Sequence, residues 1–242
     1  MNEPRHALVV GASGGLGAAI AKRWAADANV DRVWAVSRDA GSIPVADGIS
    51  PLETTHAAES VEATVNRITG GGGYLTRVAI VLGTLHGECY APEKSLQALA
   101  PESMHEVYEV NCVRPLQWVS ALSAALRKTP ETRIAVFSAR VGSITDNELG
   151  GWYSYRCSKA ALNMGLKTAA IELARRAKGI KLIAFHPGTV DTALSKPFQR
   201  GVPEGKLFEA DFVAERLDSV MGDCEIDGKL SYVDWAGKPI PW

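Results

Sequence analysis

The chain has 242 residues, of which 46% are hydrophobic and 22% charged, a balance that supplies a sizeable core and excludes disordered, collagen-like and coiled-coil classes. Lys plus Arg number 26 against 27 for Asp plus Glu, so the chain lacks the basic field that nucleic acid or an anionic membrane surface demands. Cys89, Cys112, Cys157 and Cys224 stand far apart with no C-x-x-C. That spacing argues against a disulfide framework or a metal site and points to a reducing cytoplasm. The opening MNEPRH enters an apolar run too short for a signal peptide or a membrane span.

Apolar runs and helical stretches alternate from end to end. Residues 7–10 are wholly apolar and run into glycines, as a strand buried on both faces does. Leu16, Ile20 and Trp24 give helical spacing over 15–28. Strands are expected at 33–36 and 49–53, a helix at 57–68, and a flexible joint at the four glycines 70–73 before a strand at 78–82. Pro101, Glu102 and Ser103 open a long helix reaching 128. A strand at 134–137, a second long helix at 153–178, a strand at 182–185, a helix at 208–220 and a strand at 230–233 complete the chain. Alternation without a hairpin signal predicts an α/β fold: one Rossmann-type domain over 1–242, a doubly wound parallel sheet of about seven strands with helices on both faces. Residues 192–206, with two prolines and two glycines, interrupt the alternation after the sixth strand. An insertion at the carboxyl end of a strand is expected to contribute to a ligand site.

Gly11-Ala12-Ser13-Gly14-Gly15-Leu16-Gly17 lies between the first strand and the first helix. Glycines there permit a sharp turn and a close backbone approach to a pyrophosphate, while the helix N-terminus offers free N–H groups and its positive dipole end. The second strand ends in Ser37-Arg38. An acidic residue at that point would repel a 2′-phosphate; a hydroxyl and a guanidinium suit one, which favours NADP(H) over NAD(H). Tyr155 and Lys159 are four residues apart, on one face of a helix. A lysine cation beside a phenol favours the phenolate, so the pair suits proton exchange with an alcohol or carbonyl oxygen. The five histidines show no metal spacing.

The glycine turn joined to Tyr155-Arg156-Cys157-Ser158-Lys159 resembles the classical short-chain dehydrogenases/reductases. Leu85-His86-Gly87, Pro92-Glu93-Lys94-Ser95-Leu96, Arg140-Val141-Gly142-Ser143-Ile144, Gly150-Gly151-Trp152-Tyr153 and the ending Asp234-Trp235-Ala236-Gly237-Lys238-Pro239-Ile240-Pro241-Trp242 narrow the resemblance to the C-factor and sniffer-type carbonyl reductase branch. The resemblance implies reversible hydride transfer between a nicotinamide and a small carbonyl or alcohol substrate, with Tyr155 as general acid/base. It implies that Lys159 lowers the phenol's pKa and bonds the nicotinamide ribose, and that Asn111 bends the long helix and holds a relay water. It further implies cofactor contacts from Gly11, Ser13, Gly14, Gly15, Leu16, Gly17, Ser37, Arg38, Leu82 and Gly83, from Glu53 against the adenine, and from Pro187, Gly188, Val190 and Thr192 after the sixth strand. A homodimer or homotetramer through the two long helices is implied as well. The C-factor likeness carries an alternative, a weakly catalytic or non-catalytic dinucleotide-binding sensor or signalling protein.

Two positions depart from the family pattern. Ile80-Val81-Leu82-Gly83 replaces Asn-Asn-Ala-Gly after the fourth strand, which calls for an apolar packing solution. The family's catalytic serine falls on Ala139, with Ser138 and Ser143 nearby as candidate replacements. Trp152, Tyr153 and Phe198 are candidates for an apolar substrate pocket, and His186 for a structural hydrogen bond beside it.

Overall fold

The computed structural model describes residues 3–129 and 131–242; Met1 and Asn2 of the MNEPRH opening lie outside the described residues. Its strands are β1 (Arg5–Val10), β2 (Arg32–Ser37), β3 (Ile49–Glu53), β4 (Tyr74–Ile80), β5 (Thr132–Phe137), β6 (Ile180–His186), β7 (Thr189–Val190), β8 (Leu207–Phe208) and β9 (Ser231–Asp234). Its α-helices are α1 (Gly15–Ala25), α2 (Ala58–Gly70), α3 (Pro101–Tyr108), α4 (Arg114–Ala125), α5 (Tyr153–Arg176) and α6 (Ala210–Asp223). Seven strands form one sheet in the order β3-β2-β1-β4-β5-β6-β9, every pair parallel. The chain winds outward from β1 through β2 to β3, then returns to start the other half at β4. The reversal between β1 and β4 opens a crevice at the carboxyl ends of the strands, where a ligand is expected in such sheets.

Each central strand is apolar on both faces because both are covered. Leu8, Val10, Val36 and Ile80 pack toward α2, α4 and α5, burying bulky branched chains. Ala7, Val9, Ala35, Ala79 and Ala135 face α1 and α6, and their small side chains let those helices lie close. Trp24 of α1 is fully buried there, its indole N–H donating to Asp218 Oδ1 of α6 at 2.6 Å.

Four details differ from the sequence reading. The helix expected over 101–128 is α3, a π-helical turn at Glu109–Val113, then α4. Pro115 is the cause: it has no N–H to give the Asn111 carbonyl four residues back, and the Arg114 N–H reaches instead to Glu109. Of the four glycines expected to form a flexible joint, the last is packed in place. Gly70 ends α2, Gly72 and Gly73 take φ of +79° and +80°, and a Cβ on Gly73 would lie 2.6 Å from the Pro4 carbonyl. β4 begins earlier than expected because Tyr74 bonds Pro4 and polar Thr76 and Arg77 disguise the strand. Finally, Phe208 does not start the last helix; with Leu207 it forms β8, which pairs with β7 and closes the base of the 192–206 insertion.

Replacing Trp24 with alanine empties a buried ring site and removes its bond to Asp218, so it should cost about 3–5 kcal/mol. Urea denaturation of the two proteins measures it.

Candidate dinucleotide and catalytic site

A cavity of about 390 Å³ opens in that crevice, lined by the turn after β1 and by the segments after β4, β5 and β6. Of the residues read from the sequence, Gly11, Gly14, Gly15, Leu16, Gly17, Leu82, Gly83, Tyr155, Lys159, Pro187, Gly188, Val190 and Thr192 line it. The glycines divide into two kinds. Gly11 has φ +91° and a Cβ there would lie 2.8 Å from the Val81 carbonyl, so it is fixed by packing. Gly14 and Gly15 meet nothing closer than 3.7 Å, leaving the backbone bare toward the cavity. Gly14 caps α1 without a side-chain hydrogen bond, and the first turn carries no acid. Free N–H groups, an uncompensated dipole and no Cβ in the way fit a pyrophosphate.

Ser13, Ser37, Arg38, Glu53 and Asn111 lie outside the cavity lining. The Ser37 hydroxyl donates to Ser13 Oγ at 2.8 Å, tying the end of β2 to the glycine turn. Asp39 accepts from the Gly41 N–H at 2.9 Å, and Arg38 is exposed with no ion-pair partner among the described residues. Glu53 is exposed at the carboxyl end of β3. Val81 and Leu82 supply the apolar packing that their place in the sequence called for, one toward each core cluster.

Asn111 is fully buried behind the reacting pair. Its Oδ1 accepts from the Thr84 N–H at 2.7 Å, and its Nδ2 donates to the Thr84 carbonyl at 2.9 Å and Ser158 Oγ at 3.1 Å. One amide thus joins the loop after β4, the π turn and α5. The Lys159 ammonium is buried, donates to the Phe137 carbonyl at 2.8 Å, and lies 6.0 Å from the Tyr155 ring centroid. Burial pulls Lys159 down to about 7 and pushes the Tyr155 phenol up to about 12. Loss of hydration thus acts on the phenol in the direction opposite to the lowering expected from the lysine.

Both nearby serine hydroxyls are hydrogen-bonded within the protein. Ala139 and Ser138 both line the cavity, but the Ser138 hydroxyl donates to Asn163 Oδ1 at 2.6 Å. Ser143 lies outside the lining and accepts from the Asp146 N–H at 3.1 Å. Of the expected aromatic wall, Trp152 and Phe198 line the cavity and Tyr153 does not. Trp152 packs edge-on to Phe198 at 5.3 Å and to Tyr155 at 6.2 Å. His86, unassigned from the sequence, stacks on Phe198 at 5.7 Å and reaches the Ala193 carbonyl at 3.4 Å, latching the insertion to the loop after β4. His186 lines the cavity without the expected bond: its Nδ1 is buried with no partner among the described residues, and burial lowers its pKa to about 4.

The four cysteines are free, no helix among the described residues is long and apolar enough to cross a membrane, and none of those residues groups to hold a metal ion.

Comparison with known proteins gives consistent results. The profile of the family described as short chain dehydrogenase matches residues 5–202. The "C-signal" of Myxococcus xanthus is 34% identical over 140 residues, 57% of this chain and 78% of that protein. The 1-hydroxy-2-glutathionyl-2-methyl-3-butene dehydrogenase of Rhodococcus sp. (strain AD45) is 31% identical over 192 residues, 79% of this chain and 80% of that protein. The NADPH-bound carbonyl reductase from chicken fatty liver superposes with a TM-score of 0.80 over 100% of both chains, at 24% identity. Carbonyl reductase Sniffer of D. melanogaster gives 0.79 over 99% of both chains, at 19% identity. At those identities the two structures share the fold.

Burial of Lys159 sets a pH dependence. Between about pH 7 and pH 9 the unfolded chain keeps a proton that folded Lys159 has shed, so folding stability rises with pH across that window. Urea midpoints measured without added nucleotide should climb over it in the wild type and stay flat in Lys159→Met. A flat wild-type profile would contradict the buried amine.

Proposed function

The chain belongs to the short-chain dehydrogenases, and on that premise we propose that it is an NADP(H)-dependent reductase of apolar aldehydes and ketones, reversible as an alcohol dehydrogenase. The observation that carries this reading is the convergence of Tyr155 and Lys159 on one cavity with the bare glycine cradle. NADPH, when bound, supplies the hydride that the carbonyl carbon accepts.

The protein's own residues do the rest. Tyr155, with its phenol near 12, holds a proton at neutral pH and donates it to the substrate oxygen as charge develops there. Lys159, near 7, changes protonation in the working range and restores that proton, besides bonding the nicotinamide ribose. Gly83, with Asn111 Oδ1 3.5 Å and Lys159 Nζ 3.7 Å from where a Cβ would stand, keeps the ribose side open. Gly14, Gly15, Leu16 and Gly17 hold the pyrophosphate, Glu53 faces the adenine, and Pro187, Gly188, Val190 and Thr192 hold the nicotinamide amide. Exposed Arg38, with Ser37 and Ser13, selects the 2′-phosphate; NADP in solved structures of like fold supports this. Trp152 and Phe198 favour an apolar carbonyl. Exposed Met164 and Ile171 on α5 support pairing as a homodimer or homotetramer. Free thiols throughout support a cytoplasmic protein, and the one seven-stranded sheet supports a single domain.

Ala139 favours a second reading, a dinucleotide-binding sensor or signalling protein with slow turnover, because the nearby serine hydroxyls bond Asn163 and Asp146 and leave Tyr155 without a second donor where oxygen charge develops. The C-signal likeness supports it. Intact Tyr155, Lys159 and Asn111 support the enzyme.

Tyr155→Phe should abolish NADPH oxidation by carbonyls while leaving NADPH affinity within about twofold; equal turnover would remove Tyr155 from the chemistry. Ala139→Ser should raise kcat, up to the 10²–10³ that a single oxyanion donor contributes. Arg38→Ala should weaken NADPH roughly tenfold to hundredfold and leave NADH unchanged, as fluorescence titration would show.

A further inference from the structure

Glu93 lies outside the cavity lining, yet it is only 6% exposed. Its carboxylate accepts from the Ser154 N–H at 3.2 Å and from the Ser154 hydroxyl. Its backbone carbonyl accepts from the Trp152 N–H at 2.6 Å. All three donors belong to the start of α5, where Trp152 is the N-cap residue and makes no side-chain cap of its own. Glu93 therefore caps, from a distant loop, the helix that carries Tyr155 and Lys159.

The backbone it grips is unusual. Gly150, Gly151 and Trp152 have φ of +64°, +64° and +54°, three consecutive left-handed residues. Glycine adopts that region freely, but tryptophan holds it only where its surroundings impose it. Arg156 Nε holds the Gly150 and Gly151 carbonyls at 3.2 and 3.0 Å, and the Glu93 clamp is the contact that takes the Trp152 N–H itself. Its effect is to stand the Trp152 ring between Tyr155 and Phe198, so that one side chain spans α5 and the 192–206 insertion.

Resting on the reductase reading above, the geometry assigns Glu93 as a positioning residue that sets substrate selectivity by holding Trp152 as the aromatic wall beside Tyr155. Without the carboxylate's hold on Ser154, only the Glu93 backbone carbonyl is left to grip Trp152; Trp152 then relaxes out of the left-handed region, the wall is lost, and a carbonyl with a large apolar flank loses its orientation. A small carbonyl, which does not reach the wall, is affected little.

The test compares Glu93→Ala and Glu93→Gln with the wild type, using NADPH with acetophenone and with propanal. Hydrogen exchange of residues 150–156 is followed in parallel. In Glu93→Ala the ratio of kcat/KM for acetophenone to that for propanal should fall about tenfold or more, with NADPH affinity unchanged and exchange faster in 150–156 alone. Glu93→Gln, which keeps an acceptor oxygen, should hold the ratio near that of the wild type. A merely structural role would lower both substrates together and leave the ratio alone, and that result overturns the assignment. Should Glu93→Ala not fold, Ser154→Ala removes one of the same bonds, and an unchanged ratio there overturns it equally. Should the wild type reduce neither probe, the reductase reading fails, and exchange in 150–156 still decides the clamp: no acceleration in the variant refutes it.

Discussion

The site depends on the buried amide of Asn111. Its three hydrogen bonds fix the Thr84 backbone against Ser158 of α5, so the floor of the crevice and the helix bearing Tyr155 and Lys159 move as one piece. A buried amide with both ends satisfied is a strong constraint, since displacing it leaves polar groups unpaired in an apolar interior. Pro115 makes the arrangement possible, because the missing N–H turns the chain through a π turn just where Asn111 must face α5.

Around that brace, burial governs the chemistry. The parallel sheet delivers four loop ends to one crevice, and each arrives from a strand covered on both sides. Lys159 is buried and Tyr155 partly so, and desolvation favours the uncharged form of each, lowering the amine and raising the phenol. The glycine cradle works by a different rule, in which shape decides. Gly11 is closed by packing against Val81, while Gly14 and Gly15 stay bare toward the cavity. The family membership and the shared fold with carbonyl reductases agree with a crevice built this way.

Much of this is legible in the chain because it rests on local pattern. Parallel strands buried on both faces read as continuous apolar runs, and the glycine turn and Tyr155-x-x-x-Lys159 pair lie within single turns of chain. What escapes is set by tertiary contact. The kink at 109–113 shows in the sequence only as Pro115, one residue inside an otherwise helical stretch. Gly73, at the end of the glycine run, is fixed by Pro4, nearly seventy residues upstream. Ser143 sits at a plausible distance along the chain but is drawn to Asp146 instead. The Tyr155 titration also depends on burial, because spacing shows the nearby cation and not the lost water. Glu93 and His86 act across loops, and no spacing rule connects Glu93 to Ser154 or His86 to Phe198.

The most direct measurement is NADPH consumption by the wild-type protein with an aryl ketone, with the alcohol product quantified alongside. Expected is carbonyl-dependent oxidation, one alcohol formed for each NADPH consumed, and a slower reaction with NADH. Tight binding of NADPH with no oxidation on any aryl or alkyl carbonyl would contradict the reductase and leave the sensor in its place.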